Sequence, residues 1–251
     1  MSLLLAAGVV YLALCAWLFL AQRSQIYFRT PETDFPAPSV RLESGGATLK
    51  IWEVVRDGPG ALIYFGGNAE DVAWNIPRFT TAFLDRSLYL VNYRGYGGST
   101  GQPTETALFK DAVTVYEHVA ARHERIAVVG RSLGSGVAMH LAAERDIDRL
   151  VLVTPFDSLA RVAQGHFRFL PVSLLMLDRY DSASRVPHVK VPVLLVIAGD
   201  DEIVPRARSD ALAHAFPPAQ VRVEVISHMT HNSLDLSPDY LQSVQAFLAA
   251  D

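Results

Sequence analysis

Two hydrophobic patterns divide this chain of 251 residues. From Ser2 to Ala21 nearly every position is apolar and none is charged. About 20 such residues at roughly 1.5 Å each match the hydrocarbon core of a bilayer. After a proline-rich stretch, 30–38, short apolar runs alternate with longer amphipathic ones. Residues 40–55 read as a hairpin turning at Gly45-Gly46. Strand signals follow at 61–65, 87–92, 126–130, 150–154, 193–198 and 221–226. Helical segments lie between and after them, at 71–84, 105–122, 134–144, 206–215 and 238–249. Strands apolar on both faces and separated by helices predict an α/β fold. Its central sheet is mostly parallel, flanked by helices, with an antiparallel start.

The pattern sets the expected organisation: a transmembrane anchor over 1–22, a connector over 23–39 and one α/β domain over 40–251. A cleaved signal peptide needs a basic leader and a small-residue cleavage site. Only Met1 and Ser2 precede the apolar run, which ends in Trp17-Leu-Phe-Leu20, so an uncleaved anchor is expected. Arg23 and Arg29 follow it and no basic residue precedes it, which by a small margin places the body on the cytoplasmic side. The interval 155–192 is too long for a plain crossover. It holds Phe167, Phe169 and several leucines, broken by Pro171, and reads either as a short cap over about 156–190 or as a helix packed on the sheet edge.

Composition narrows the function. A net charge of −4 argues against a nucleic-acid surface. Cys15 is the only cysteine and lies in the apolar segment, so an intrachain disulfide and a multi-cysteine zinc site are excluded.

The strand at 126–130 runs into Gly130-Arg-Ser-Leu-Gly134 and then an alanine-rich helix. This is the G-x-S-x-G elbow, in which small flanking residues let a serine project at a helix N-terminus. Serine needs a base, and the base an orienting acid. The strand at 193–198 ends in Asp200-Asp-Glu202, and the one at 221–226 in His228-Met-Thr-His231. Ligand sites in such sheets lie at the carboxyl ends of strands. The pattern leaves both histidines and all three acids as candidates, with Asp157 as a lesser one. Gly95, Gly97 and Gly98 do not open a helix, so they make no dinucleotide fingerprint.

Several stretches resemble the α/β-hydrolase superfamily, and in particular its membrane-anchored branch of serine hydrolases, described as serine-peptidase-like or palmitoyl-thioesterase-like. The carriers are Leu62-Ile-Tyr-Phe-Gly-Gly-Asn-Ala69, Asn92-Tyr-Arg-Gly-Tyr-Gly-Gly-Ser-Thr-Gly-Gln-Pro103, Asp201-Glu-Ile-Val-Pro205, His231-Asn232 and Gln25-Ile-Tyr27. They span nearly the whole chain in the family's order.

The resemblance implies a triad of Ser132, Asp201 and His231. It implies an oxyanion hole from the N–H groups of Leu133 and of the 66–69 loop, above all Asn68. Gly67, Arg131, Phe167 and Phe169 are the candidate substrate contacts. No cofactor and no metal are implied. The substrate it implies is a small or lipid-like acyl compound, and the partner it implies is the membrane. The family has His-Gly-Asn where this chain has Gly66-Gly67-Asn68, which predicts a more mobile oxyanion loop. His228 reads as a strand-end residue bonded to the backbone, and Arg94 as an internal ion-pair partner. The expected activity is cleavage of esters or thioesters. Peptide cleavage by the same triad and a catalytically silent binding fold are the alternatives.

Overall fold

The computed structural model describes residues 2–250. Met1 and Asp251, the outer bounds expected for the anchor and the body, lie outside it. The chain opens with a 25-residue helix, α1 (Ser2–Ile26). This helix is long and apolar enough to cross a membrane and extends past the boundary expected at residue 22.

The body is one eight-stranded sheet: β1 (Ser39–Ser44), β2 (Ala47–Val54), β3 (Gly60–Phe65), β4 (Ser87–Val91), β5 (Arg125–Arg131), β6 (Arg149–Val153), β7 (Val193–Ala198) and β8 (Val221–Ile226). In space the order is β1-β2-β4-β3-β5-β6-β7-β8. The β1–β2 and β2–β4 pairs are antiparallel and the rest are parallel. Gly45 and Gly46 both have positive φ (51° and 79°), as a two-residue hairpin turn requires.

Successive strand residues serve opposite faces. Ile63, Tyr89, Val128, Leu152 and Leu195 enter one apolar layer, while Leu62, Leu88, Val129, Val151 and Leu194 enter the other. The first layer is covered by α3 (Glu105–Ala120), α4 (Leu133–Glu144) and α7 (Arg206–Ala215), through residues such as Val115, Leu141 and Leu212. The second is covered by α2 (Ile76–Ala82) and α8 (Pro238–Ala249), through Phe79 and Tyr240. Burial on both faces is why these strands read as unbroken apolar runs.

The helix expected over 71–84 is shorter. A 3₁₀ turn, Val72–Asn75, precedes α2, which begins beside Pro77. Proline lacks the N–H needed in a helix interior and is placed in the first turn instead. The insertion after β6 carries α5 (Leu159–His166), α6 (Val172–Leu175) and a 3₁₀ turn, Ala183–His188, with Pro171 separating the first two.

The insertion packs along α1. Tyr11 Oη donates to the Phe169 carbonyl (2.9 Å). Gln22 donates to the Leu175 carbonyl (3.2 Å) and accepts from the Leu177 N–H (2.7 Å). Arg23 pairs with Asp178 at 3.1 Å. Just beyond the helix, the Tyr27 and Tyr180 hydroxyls share a buried hydrogen bond of 2.9 Å.

His140 on α4 stacks on Phe109 with ring centroids 4.1 Å apart, and its Nδ1 has no hydrogen-bond partner among the described residues. Burial first, and then the nearby Arg185 charge, lower its pKa to about 4. The unfolded chain, with histidine near pH 6.5, then binds more protons than the folded one between about pH 6.5 and 4. This contribution to stability is full above pH 6.5 and is lost as the pH falls to about 4. Thermal melts across that window should show a smaller fall in Tm for His140→Gln than for the native chain.

Candidate active site

Ser132 sits between β5 and α4 with φ 50° and ψ −116°, a backbone region costly for any residue with a side chain. Its N–H donates to the Val153 carbonyl (2.8 Å), and its carbonyl accepts from Ser135 Oγ (2.6 Å). The flanking glycines make the turn possible. A Cβ on Gly130 would overlap the Gly134 carbonyl and Ala138, and one on Gly134 would overlap the Phe65 and Gly66 carbonyls. No other residue type fits this crossing of β5, α4 and the end of β3.

His231 Nε2 lies 2.9 Å from Ser132 Oγ. Its Nδ1 lies 2.8 Å from Asp201 Oδ2 and 3.1 Å from Oδ1. Asp201 Oδ1 also accepts from the N–H groups of Ile203 (2.9 Å) and Val204 (2.7 Å), so its carboxylate is fixed as an acceptor. That assigns the imidazole proton to Nδ1 and leaves Nε2 to accept from the serine. The histidine and aspartate side chains are 7% and 2% exposed, which keeps this chain of bonds out of competing water. The three residues come from the ends of β5, β7 and β8.

The other candidates lie elsewhere. His228, at φ 59°, has a side chain 94% exposed and 3.9 Å from Asp200, and among the described residues it makes no hydrogen bond to the backbone of the kind expected. Asp157 is buried and paired with Arg161 (2.8 Å) and Arg208 (3.3 Å).

The 66–69 loop is pinned, which corrects the expectation of mobility. Tyr93 Oη donates to the Gly66 carbonyl (2.7 Å). Glu70 accepts from the Gly67 N–H (2.5 Å), Tyr64 Oη (2.7 Å) and Asn75 Nδ2 (2.6 Å), and faces Arg131 at 3.3 Å. Burial, then the Glu70 charge, push the Tyr64 pKa up, so this phenol stays a donor. A side chain at Gly66 would meet Val72 Cγ1 at 2.6 Å. Glu70 therefore braces this loop. The sequence reading missed it, although a carboxylate three residues past a loop glycine was the available signal.

Asn68, expected for its N–H, also works through its side chain. Its Oδ1 accepts from the Phe28 N–H (3.0 Å) and Tyr96 Oη (2.8 Å), and its Nδ2 donates to the Ile26 carbonyl (2.7 Å). Among the described residues, no hydrogen bond occupies the N–H of Asn68 or Leu133. The tyrosine- and glycine-rich loop positions this segment, and Arg94 within it pairs with buried Asp111 (2.7 Å), as expected.

A cavity of about 330 Å³ opens beside Ser132, Leu133 and Asn68. Phe167 lines it. Three expected substrate contacts are corrected. The Gly67 N–H is consumed by Glu70. Arg131 is buried, donating to the His231 carbonyl (3.1 Å) and pairing with Glu70 and Asp235 (3.3 Å each), so it holds the histidine loop. Phe169 is 92% exposed and outside the cavity. His166 of α5, passed over in the sequence, lines the wall.

A model described as the alpha/beta hydrolase family matches residues 58–181. An uncharacterized protein of Mycobacterium tuberculosis is 35% identical over 251 residues, covering 92% of this chain and 87% of its own. The chain belongs to the α/β-hydrolase family. Human protein ABHD12B is 30% identical, covering 84% of this hydrolase and 67% of its own chain. Protein bem46 of Schizosaccharomyces pombe is 30% identical, covering 75% and 67%. Among solved structures, the Pyrococcus furiosus esterase Pf2001 superposes with a TM-score of 0.72 at 17% identity, covering 88% of this hydrolase and 98% of the esterase. The enol-lactonase of Burkholderia xenovorans gives 0.66 at 14%, covering 84% and 100%. These two likenesses concern the fold.

Two variants test the bracing. Arg131→Met leaves Glu70 buried without its counter-charge and should cost about 3–5 kcal/mol in denaturant unfolding. Gly66→His, which restores the family residue, should destabilise by about 1–3 kcal/mol through overpacking against Val72, read as a lower unfolding midpoint.

Proposed function

We propose that this α/β-hydrolase is a membrane-anchored serine hydrolase that cleaves carboxylic ester or thioester bonds. The observation that carries the reading is the unbroken chain from Ser132 Oγ through His231 to Asp201, at 2.9 and 2.8 Å. Ser132 Oγ bonds to the acyl carbon as His231 Nε2 takes its proton. The carbonyl electron pair moves onto oxygen, where the N–H groups of Leu133 and Asn68 and the N-terminus of α4 oppose the charge. Collapse restores the carbonyl and expels the alkoxide or thiolate, which takes the proton from His231. Water then attacks the acyl-serine by the same route and frees the acid. Asp201 holds the tautomer and stabilises the imidazolium.

Two further observations support the reading. The strain at Ser132 amounts to about 1–3 kcal/mol and is of the kind that collects at functional sites. The cavity at the serine is walled mainly by apolar side chains such as Leu159, Val162 and Leu170, which favours an acyl chain over a peptide with many polar groups to satisfy. Helix α1 supports the anchor.

Hydrolysis of p-nitrophenyl esters by the full chain in detergent tests the reading. Ser132→Ala should lower kcat by about 10³-fold or more, and Asp201→Asn by about 10²–10⁴-fold. Undiminished turnover in Ser132→Ala would refute it.

A further inference from the structure

We propose that the anchor helix is itself a wall of the acyl pocket, so that the site takes the long acyl chain of an ester held in the bilayer and receives it from the membrane. This deepens the reading of Ser132 as nucleophile and rests on it.

The cavity starts at Ser132, Leu133 and Asn68 and continues along α1, where Ile26, Phe19 and Leu18 line it. Eight residues separate Ile26 from Leu18, about 12 Å along the helix axis. The opposite wall is Leu170, Leu175 and Met176 of the insertion. The two walls are held together at several levels, from Tyr11 with Phe169 through Gln22 with Leu175 and Leu177 to Arg23 with Asp178. The reacting end is tied in as well, since the Asn68 amide donates to the Ile26 carbonyl. The oxyanion loop and the end of the anchor form one unit.

The depth of the insertion indicates the source of the chain. Tyr11 lies in the middle of the apolar span, Leu3–Ile26, and its hydroxyl reaches Phe169. When α1 crosses a membrane, this part of the insertion lies at hydrocarbon depth. Its outer side chains suit that place. Phe169 is 92% exposed and Leu174 79%, beside exposed Leu177 and Phe167, a patch that water disfavours and lipid accepts. The Arg23–Asp178 pair lies at the aqueous end. The pocket wall offers few groups for a peptide backbone, and a bilayer-borne acyl chain needs none.

The test uses the full chain in phosphatidylcholine vesicles, with 4-methylumbelliferyl palmitate and butyrate as probes. Leu18→Trp should lower the palmitate-to-butyrate ratio of kcat/KM by about tenfold or more. Leu175→Trp, from the facing wall, should do the same. Val10→Trp, on an exposed position of α1, should leave the ratio unchanged. With the native chain, which needs no variant to fold, diluting a fixed amount of palmitate ester with more phosphatidylcholine should lower the rate in proportion to its mole fraction. An unchanged ratio in both wall variants, or a rate that follows bulk concentration alone, would overturn the pocket proposal while leaving the hydrolase reading standing. Absence of Ser132-dependent turnover of either ester would remove the hydrolase reading and this proposal with it.

Discussion

The close crossing of β5, α4 and the end of β3 is the constraint on which the rest of the structure depends. Gly130 and Gly134 allow it by having no Cβ, and the backbone at Ser132 then takes a positive φ. The serine oxygen is lifted above the carboxyl edge of the sheet, at the first turn of α4. The parallel strands β7 and β8 end on the same edge and deliver Asp201 and His231 there. A strained turn survives only where its surroundings over-determine it. Here the surroundings are two apolar layers and a ring of backbone bonds from Val153 and Ser135.

A second set of interactions joins this centre to the remainder of the molecule. Glu70 gathers Tyr64, Gly67, Asn75 and Arg131, and Arg131 in turn holds the carbonyl of His231. The loop beside the serine and the loop bearing the histidine are thus fixed through one buried charge pair. Asn68 extends the connection to the end of α1 and to the loop bearing Tyr96. The candidate site, helix α1 and the cavity between them are therefore coupled by few side chains.

Much of this was legible in the sequence because it follows from short-range rules. Strands buried on both faces announce themselves as apolar runs, and the elbow as glycines spaced around a serine. The order of acid and histidine after it followed from strand ends. What was not legible depends on long-range contacts between dissimilar residues. Nothing near Gly66 indicates that Val72 fills the space a side chain there would need, and the spacing of Glu70 from Gly67 was only a weak local signal of the brace it forms. Arg131, next to the serine, looked like a substrate contact and is turned inward by two carboxylates. Phe167 and Phe169 are two residues apart, and only the path of the chain before Pro171 places one at the cavity and the other outside it.

The central claim is that Ser132 is a nucleophile activated by His231. Intact-site labelling tests it most directly: the folded full chain is treated with a fluorophosphonate and the digested peptides are weighed by mass spectrometry. The account predicts one phosphonyl adduct on Ser132, formed at a rate that collapses in His231→Ala. An unmodified Ser132 in folded protein, or labelling that His231→Ala leaves unchanged, would contradict it.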